Sequence, residues 1–264
     1  MKTVRAVPLY TSKIIKAGAL VADTQILLTH WDMSRSLHEN LQQMRETNIF
    51  GKASRSRIED MLGIFKQRYL ANRSLTAALV TLATRGLTTS ELQPVLYFLS
   101  TQADALLRDV VLQVLWPKYQ RGLVDITPEE IREWVQQQVA AQLTTSPWGN
   151  ETIERVVQGL LATLRDFDVL AGKVKKTIKL PYLPIRAFAF IAFLLQQQQR
   201  SGEKLLQNTA WHLFFLDERD VERLFFEAHQ ERLLAYQAAG SVIRIDFPEQ
   251  MVEGYAHALT RTTL

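Results

Sequence analysis

Apolar residues recur every three to four positions along most of the chain, the spacing that gathers them on one face of an α-helix. Between start and stop signals this pattern predicts helices near 22–31, 36–48, 54–70, 74–85, 88–101, 103–119, 127–143, 150–170, 184–200, 203–215, 218–239 and 249–263. The starts are legible because a Ser or Thr three residues ahead of a Glu satisfies two otherwise orphaned amides. Ser36 with Glu39, Thr88 with Glu91 and Thr127 with Glu130 fit, and Pro128 sits where its missing N–H costs nothing. Asn150 and Asp217 are further cap candidates. Two stretches, 174–180 and 242–247, are short, rich in β-branched residues and partly alternating, and read as strands pairing in one two-stranded ribbon joined through helices. The expected fold class is therefore all-α, with two packed helical lobes. The punctuation at Thr144–Gly149, where Pro147 and Gly149 surround Trp148, divides them into a basic lobe at 1–145 and a lobe at 150–264 that holds both strands. The tryptophan predicts that this linker packs against something.

Composition sharpens the picture in places. With 47% hydrophobic and 22% charged residues the chain is an ordinary globular mixture, which excludes disordered and fibrous classes. The absence of cysteine removes disulfides, thiolate metal sites and cysteine nucleophiles together. Met1–Tyr10 has no apolar run of signal-peptide length, so a cytoplasmic protein is expected. Ala187–Leu195 is uninterruptedly apolar, but nine helical residues rise only about 14 Å against about 30 Å of hydrocarbon. A buried core helix is expected there, with no membrane insertion.

Catalytic signatures fail one by one. Neither glycine-rich nucleotide fingerprint occurs, nor does the serine-hydrolase elbow. No two of the five histidines stand four apart, the spacing that aims two imidazoles at one metal. Asp166 and Asp168 point away from each other on a helix, and the acidic run from Asp217 is explained by capping. A non-enzymatic protein without metal or cofactor is expected. His212, beside Trp211 and Phe214, reads as a partly buried, satisfied histidine.

Charge carries the remaining signal. The net +4 divides unevenly: residues 1–90 hold 13 basic and 6 acidic side chains, and the rest hold 18 and 21. A surface for a polyanion leaves such a trace, and so does a contact with an acidic protein. Two basic elements stand out. The first is the predicted helix after Ser54, with Lys52, Arg55, Arg57, Lys66, Arg68 and Arg73 around an apolar stripe of Ile58, Met61, Leu62, Phe65 and Tyr69. At 100° per residue from Ile58, Arg55 and Lys66 lie at about 60° and 80°, and Arg57 and Arg68 at about 260° and 280°, so cations flank the stripe on both sides. Cations that snorkel along a packed helix leave the same pattern as a phosphate-contacting surface, and Arg55 with Glu59 and Arg57 with Asp60 also fit as helix-surface pairs. The second element is Lys173, Lys175, Lys176 and Lys179. If Val174, Ile178 and Leu180 turn inward, Lys175 and Lys179 face outward with Thr177, and Lys176 falls on the inward parity, which suggests a bulge or a loose edge. Lysines on an edge strand guard against aggregation or follow a phosphate backbone.

The stretch Asn48-Ile49-Phe50-Gly51-Lys52-Ala53-Ser54-Arg55-Ser56-Arg57, its continuation to Arg68, and Trp211–Phe247 with its short final strand resemble the BrxA family of bacteriophage exclusion (BREX) defence systems. The resemblance implies an all-α protein acting without catalysis beside a DNA methyltransferase, ATPases and a phosphatase-like protein, and binding DNA, other defence proteins such as the methyltransferase, or both. The ten cations named above are the candidate contacts to double-stranded DNA, engaging phosphates without reading bases; with about six phosphates engaged, log affinity falls against log salt with a slope near −5. The protein is expected to be a monomer on its own. The alternatives are a scaffold whose basic third meets an acidic partner without touching nucleic acid, and an RNA-binding helical protein of the antitermination type.

Overall fold

The computed structural model describes residues 10–16, 18–240 and 242–261 and is predominantly helical. A 3-10 turn at Ser12–Ile15 precedes α1 (Val21–Thr29), α2 (Leu37–Thr47), α3 (Arg55–Arg68), α4 (Arg73–Arg85) and α5 (Thr89–Ala103). There follow α6 (Ala105–Val110), a π-helical turn at Val111–Leu115, α7 (Trp116–Gln120), β1 (Asp125–Ile126), α8 (Pro128–Ala140), α9 (Asn150–Asp166), β2 (Leu170–Ala171) and β3 (Lys176–Ile178). The chain ends with α10 (Ile185–Gln198), α11 (Gly202–Leu206), a 3-10 turn at Thr209–Phe214, α12 (Glu218–Gln230), β4 (Ala235–Ala239), β5 (Val242–Asp246) and α13 (Val252–Arg261).

Helix starts obey the local chemistry. Ser36 with Glu39, Thr127 with Glu130 and Asp217 with Asp220 form reciprocal caps, and Thr88 and Glu91 exchange bonds of 2.8 and 3.3 Å. Asn150 is not a cap; Gly149 holds that position and Asn150 lies inside α9. The single helix expected over 103–119 is divided. Asp104 caps α6, and Pro117, with no N–H to return to the preceding turn, follows a stretch wound as a π-turn.

Over the described residues the chain divides into two compact units, Met1–Ala19 with Ser100–Leu180 and Leu20–Leu99 with Pro181–Leu264. The division falls elsewhere than at 144–149. That segment lies inside the first unit, held by Tyr10, whose N–H donates to the Leu143 carbonyl at 2.7 Å and whose carbonyl accepts from Thr145 at 2.9 Å. Trp148 is buried, as its place in the linker predicts.

In the first unit α8 packs on α9, where Arg132 pairs with Glu154, and the 12–15 turn packs against α9 at Gly159. The buried Tyr10 hydroxyl donates to Asp109 at 2.8 Å; burial, then this carboxylate, push its pKa well above the usual phenol range. Burial raises the Glu130 carboxyl, but bonds from Lys118 and Thr127 outweigh it and hold the group below the usual range. The two strands predicted as one ribbon belong to separate sheets. Strand β3 is the middle of an antiparallel three-stranded sheet, β1-β3-β2, with Asp125 opposite Thr177 and Leu170 opposite Ile178.

In the second unit α10 is the core helix expected from its apolar run: every residue from Ala187 to Phe193 is wholly buried. Phe188 stacks on Trp211 and meets Phe225 edge-on, each at 4.9 Å, and Phe193 stacks on Tyr255 at 4.6 Å. Burying each such ring contributes roughly 1.5–3 kcal/mol. Arg186 at the start of α10 binds Glu91 at 2.8 Å; burial raises this carboxyl, and the Thr88 amide and Arg186 more than offset that and lower it. His212 is half-buried, and burial pushes its imidazole below the usual range. The helix expected over 218–239 stops at Gln230. Arg232 turns left-handed, the Leu233 N–H caps the Ala228 carbonyl, and residues 235–239 instead pair with β5 as a hairpin through Gly240. Helix α13 packs closely on α4. Among the described residues no helix is long and apolar enough to cross a membrane.

Candidate nucleic-acid interface

Helix α3 presents the first basic element. Ser54 caps it by accepting from the Arg57 amide, and the predicted stripe of Ile58, Met61, Leu62, Phe65 and Tyr69 is buried throughout. The two flanks of this stripe differ. On the side near 260°, Ile64 is buried, Arg57 is half-buried and Arg68 is only 6% exposed, so Arg68 is not a surface cation. Ile64, one turn ahead of Arg68, widens the buried face beyond the predicted stripe. On the other side Arg55 and Lys66 are exposed, with no acidic partner among the described residues.

The remaining cations of this element are committed elsewhere. Lys52 pairs with Asp23 of α1 at 2.8 Å, and Arg73 donates to the Met33 carbonyl at 2.8 Å. Glu59 pairs with Arg45 of α2 at 2.5 Å and not with Arg55. Arg45 and Glu59 bridge two clefts between α2 and α3. One, of about 440 Å³, is lined by Leu37, Leu41, Leu62, Gly63 and Lys66; the other, of about 570 Å³, by Gln42, Asn48, Lys52, Arg55 and Ile58. His38 and Arg45 line both. Sequence reasoning missed this groove. Its one signal was Gly63, a glycine inside a helical pattern.

In the first unit the lysine element is the turn from β2 to β3. Because β3 is a central strand, its lysines do not mark a sheet edge. Lys176 follows the inward parity with Ile178 and is 8% exposed; its ammonium donates to the carbonyls of Gly172 at 2.9 Å and Lys173 at 2.5 Å. The expected bulge is thus a loop closed by a buried lysine. Val174 and Leu180 lie beyond the three paired residues and are exposed, not inward. Lys179 is exposed and binds Asp168 at 2.9 Å. Lys173 and Lys175 are exposed, with no acidic partner among the described residues, and flank Val174 at 89% exposure.

Of the ten sequence candidates, Arg55, Lys66, Lys173 and Lys175 are open to a polyanion without breaking an ion pair. Arg68 and Lys176 are interior, Arg57 is half-buried and engaged, and Lys52, Arg73 and Lys179 already hold partners. The structure places the α3 cations in one unit and the loop lysines in the other. Among the described residues no three of His, Asp and Glu gather as a metal site.

No curated protein matches this chain. The BrxA family model matches residues 8–194, well over half of the chain. The matched stretch includes both basic elements, and the Trp211–Phe247 stretch lies beyond it. The chain belongs to the BrxA family, which takes its name from the BREX systems of phage defence.

Proposed function

We propose that this protein is a non-enzymatic component of BREX defence that binds duplex DNA through phosphate contacts. The observation that carries the reading is that four of the ten candidate cations, Arg55 and Lys66 on α3 and Lys173 and Lys175 on the β2–β3 loop, are exposed with no acidic partner among the described residues. Arg55 stands in the first turn of α3, where the helix dipole disfavours a cation by about 0.3–1 kcal/mol. A residue kept there at a cost to the helix fits a role in meeting an anion. Contacts to phosphate carry no sequence information, so the binding is expected to follow charge and not sequence. Four engaged phosphates correspond to a log–log salt slope near −4, shallower than the slope near −5 expected from six.

The test is a fluorescence titration of a labelled duplex between low and physiological salt, with single-stranded RNA as competitor. A salt-dependent affinity that loses roughly one unit of slope for each cation replaced by Gln supports the reading. Salt-insensitive binding, or preferential displacement by RNA, overturns it.

One observation favours a second reading, docking to another protein. The groove between α2 and α3 has an apolar floor, which phosphate contacts do not use.

A further inference from the structure

We propose that the groove between α2 and α3 receives a short acidic amphipathic helix of a partner protein. The inference goes beyond DNA binding and gives the docking reading a defined occupant. Its floor is Leu37 and Leu41 from α2 and Leu62 from α3, with Gly63 beside them. Gly63 leaves a notch: a Cβ built there meets nothing within 4 Å. Glycine at an exposed mid-helix position costs about 1 kcal/mol relative to alanine, so neither helix stability nor lack of room explains it. A bare position beside three leucines is what a docked side chain would need.

Charge along the rim fixes the kind of side chain at each point. Arg45 and Glu59 neutralise one another across the middle of the groove, and Lys52 is neutralised by Asp23. Arg55 at one end and Lys66 at the other keep their charges. They stand eleven residues apart on α3, three helical turns or about 16 Å. A helix lying along α3 therefore matches the groove when it carries carboxylates at i and i+11 and apolar residues at i+4 and i+7, all of which share one face. A nucleic acid would meet the same two cations but leave the leucines and the notch unused.

The pattern can be tested with an alanine-based helical peptide bearing Glu at i and i+11 and Leu at i+4 and i+7, and a second peptide with Lys in place of both Glu. Binding to the full chain is followed by fluorescence anisotropy. The acidic peptide should bind and the basic one should not. Gly63→Leu, which fills the notch, should weaken the acidic peptide tenfold or more with no loss of thermal stability. Gly63→Gln gives a second filling of the notch with a polar chain, and Arg55→Gln with Lys66→Gln should also weaken the peptide. A labelled DNA duplex titrated against the same variants separates the two readings, because its binding depends on the cations and not on Gly63. No binding of the acidic peptide, equal binding of the two peptides, or unchanged binding by both Gly63 variants overturns the proposal. Loss of DNA binding on filling the notch, with peptide binding intact, assigns the groove to nucleic acid and overturns it as well. Failure of the DNA reading is seen separately, as salt-insensitive duplex binding by the unaltered protein.

Discussion

The buried ammonium of Lys176 donates to the carbonyl of Gly172 at 2.9 Å and so ties the two ends of the β2–β3 loop together. Gly172 has φ +89°, and a Cβ there would lie 2.0 Å from the Lys175 carbonyl oxygen. Gly172→Ala should therefore destabilise the protein by roughly 1–3 kcal/mol, read as a lower urea midpoint at unchanged m-value. Lys176→Met leaves the loop carbonyls without their donor and should cost about 1–3 kcal/mol. It should also leave the salt slope of DNA binding unchanged, whereas Lys175→Gln should lower that slope by about one unit and leave stability alone.

Arg68 and Lys66 stand two residues apart on α3 and should behave oppositely. Arg68→Gln disturbs a buried guanidinium and should lower stability by about 1–3 kcal/mol with DNA affinity unchanged per folded molecule. Lys66→Gln should keep stability within about 0.5 kcal/mol and weaken DNA binding. Paired denaturation and titration curves for the two variants decide the point.

Acid sensitivity should pass through Glu91. Its folded carboxyl titrates below the ordinary value of 4.5, so the unfolded chain takes up the proton first. The stability this group contributes is complete above that value and is lost as pH falls through the lower, folded one. Glu91→Gln should be less stable than the parent at pH 7 and lose less of its remaining stability between pH 5 and 3, measured by urea denaturation at each pH.

The caps offer a test of purely local design. Ser36→Ala and Thr127→Ala each remove the side-chain oxygen that accepts a first-turn amide, and each should cost about 1 kcal/mol in thermal denaturation.

These caps, the buried run of α10 and the α3 stripe were legible because each depends on spacing within a few residues. The boundary of the units was not, since Tyr10 reaches Leu143 and Thr145 across more than a hundred residues and no local signal marks that pairing. The 235–239 strand was hidden for a related reason. Ala, Gln and Ala are good helix formers, and only the pairing across the hairpin, with Tyr236 and Ile245 both buried, makes that stretch extended. Among the candidate cations, helical phase placed Arg55 and Lys66 correctly on one flank of α3. It could not tell that the opposite flank, with Ile64 and Arg68, is covered. Parity likewise put Lys176 inward, and what it lacked was the reason a lysine could stay there, two loop carbonyls three and four residues back.

The discontinuous make-up of the second unit bears on how the chain is made. Helix α4 leaves the ribosome long before α13, which packs on it so closely that a Cβ at Gly86 would meet Thr260 at 2.3 Å. At about 5–20 residues per second, the stretch between them takes roughly 10–30 s to synthesise. Throughout that interval the side of α4 that packs on α13 lacks its partner, and a nascent chain stalled before residue 252 would be left with that seam open.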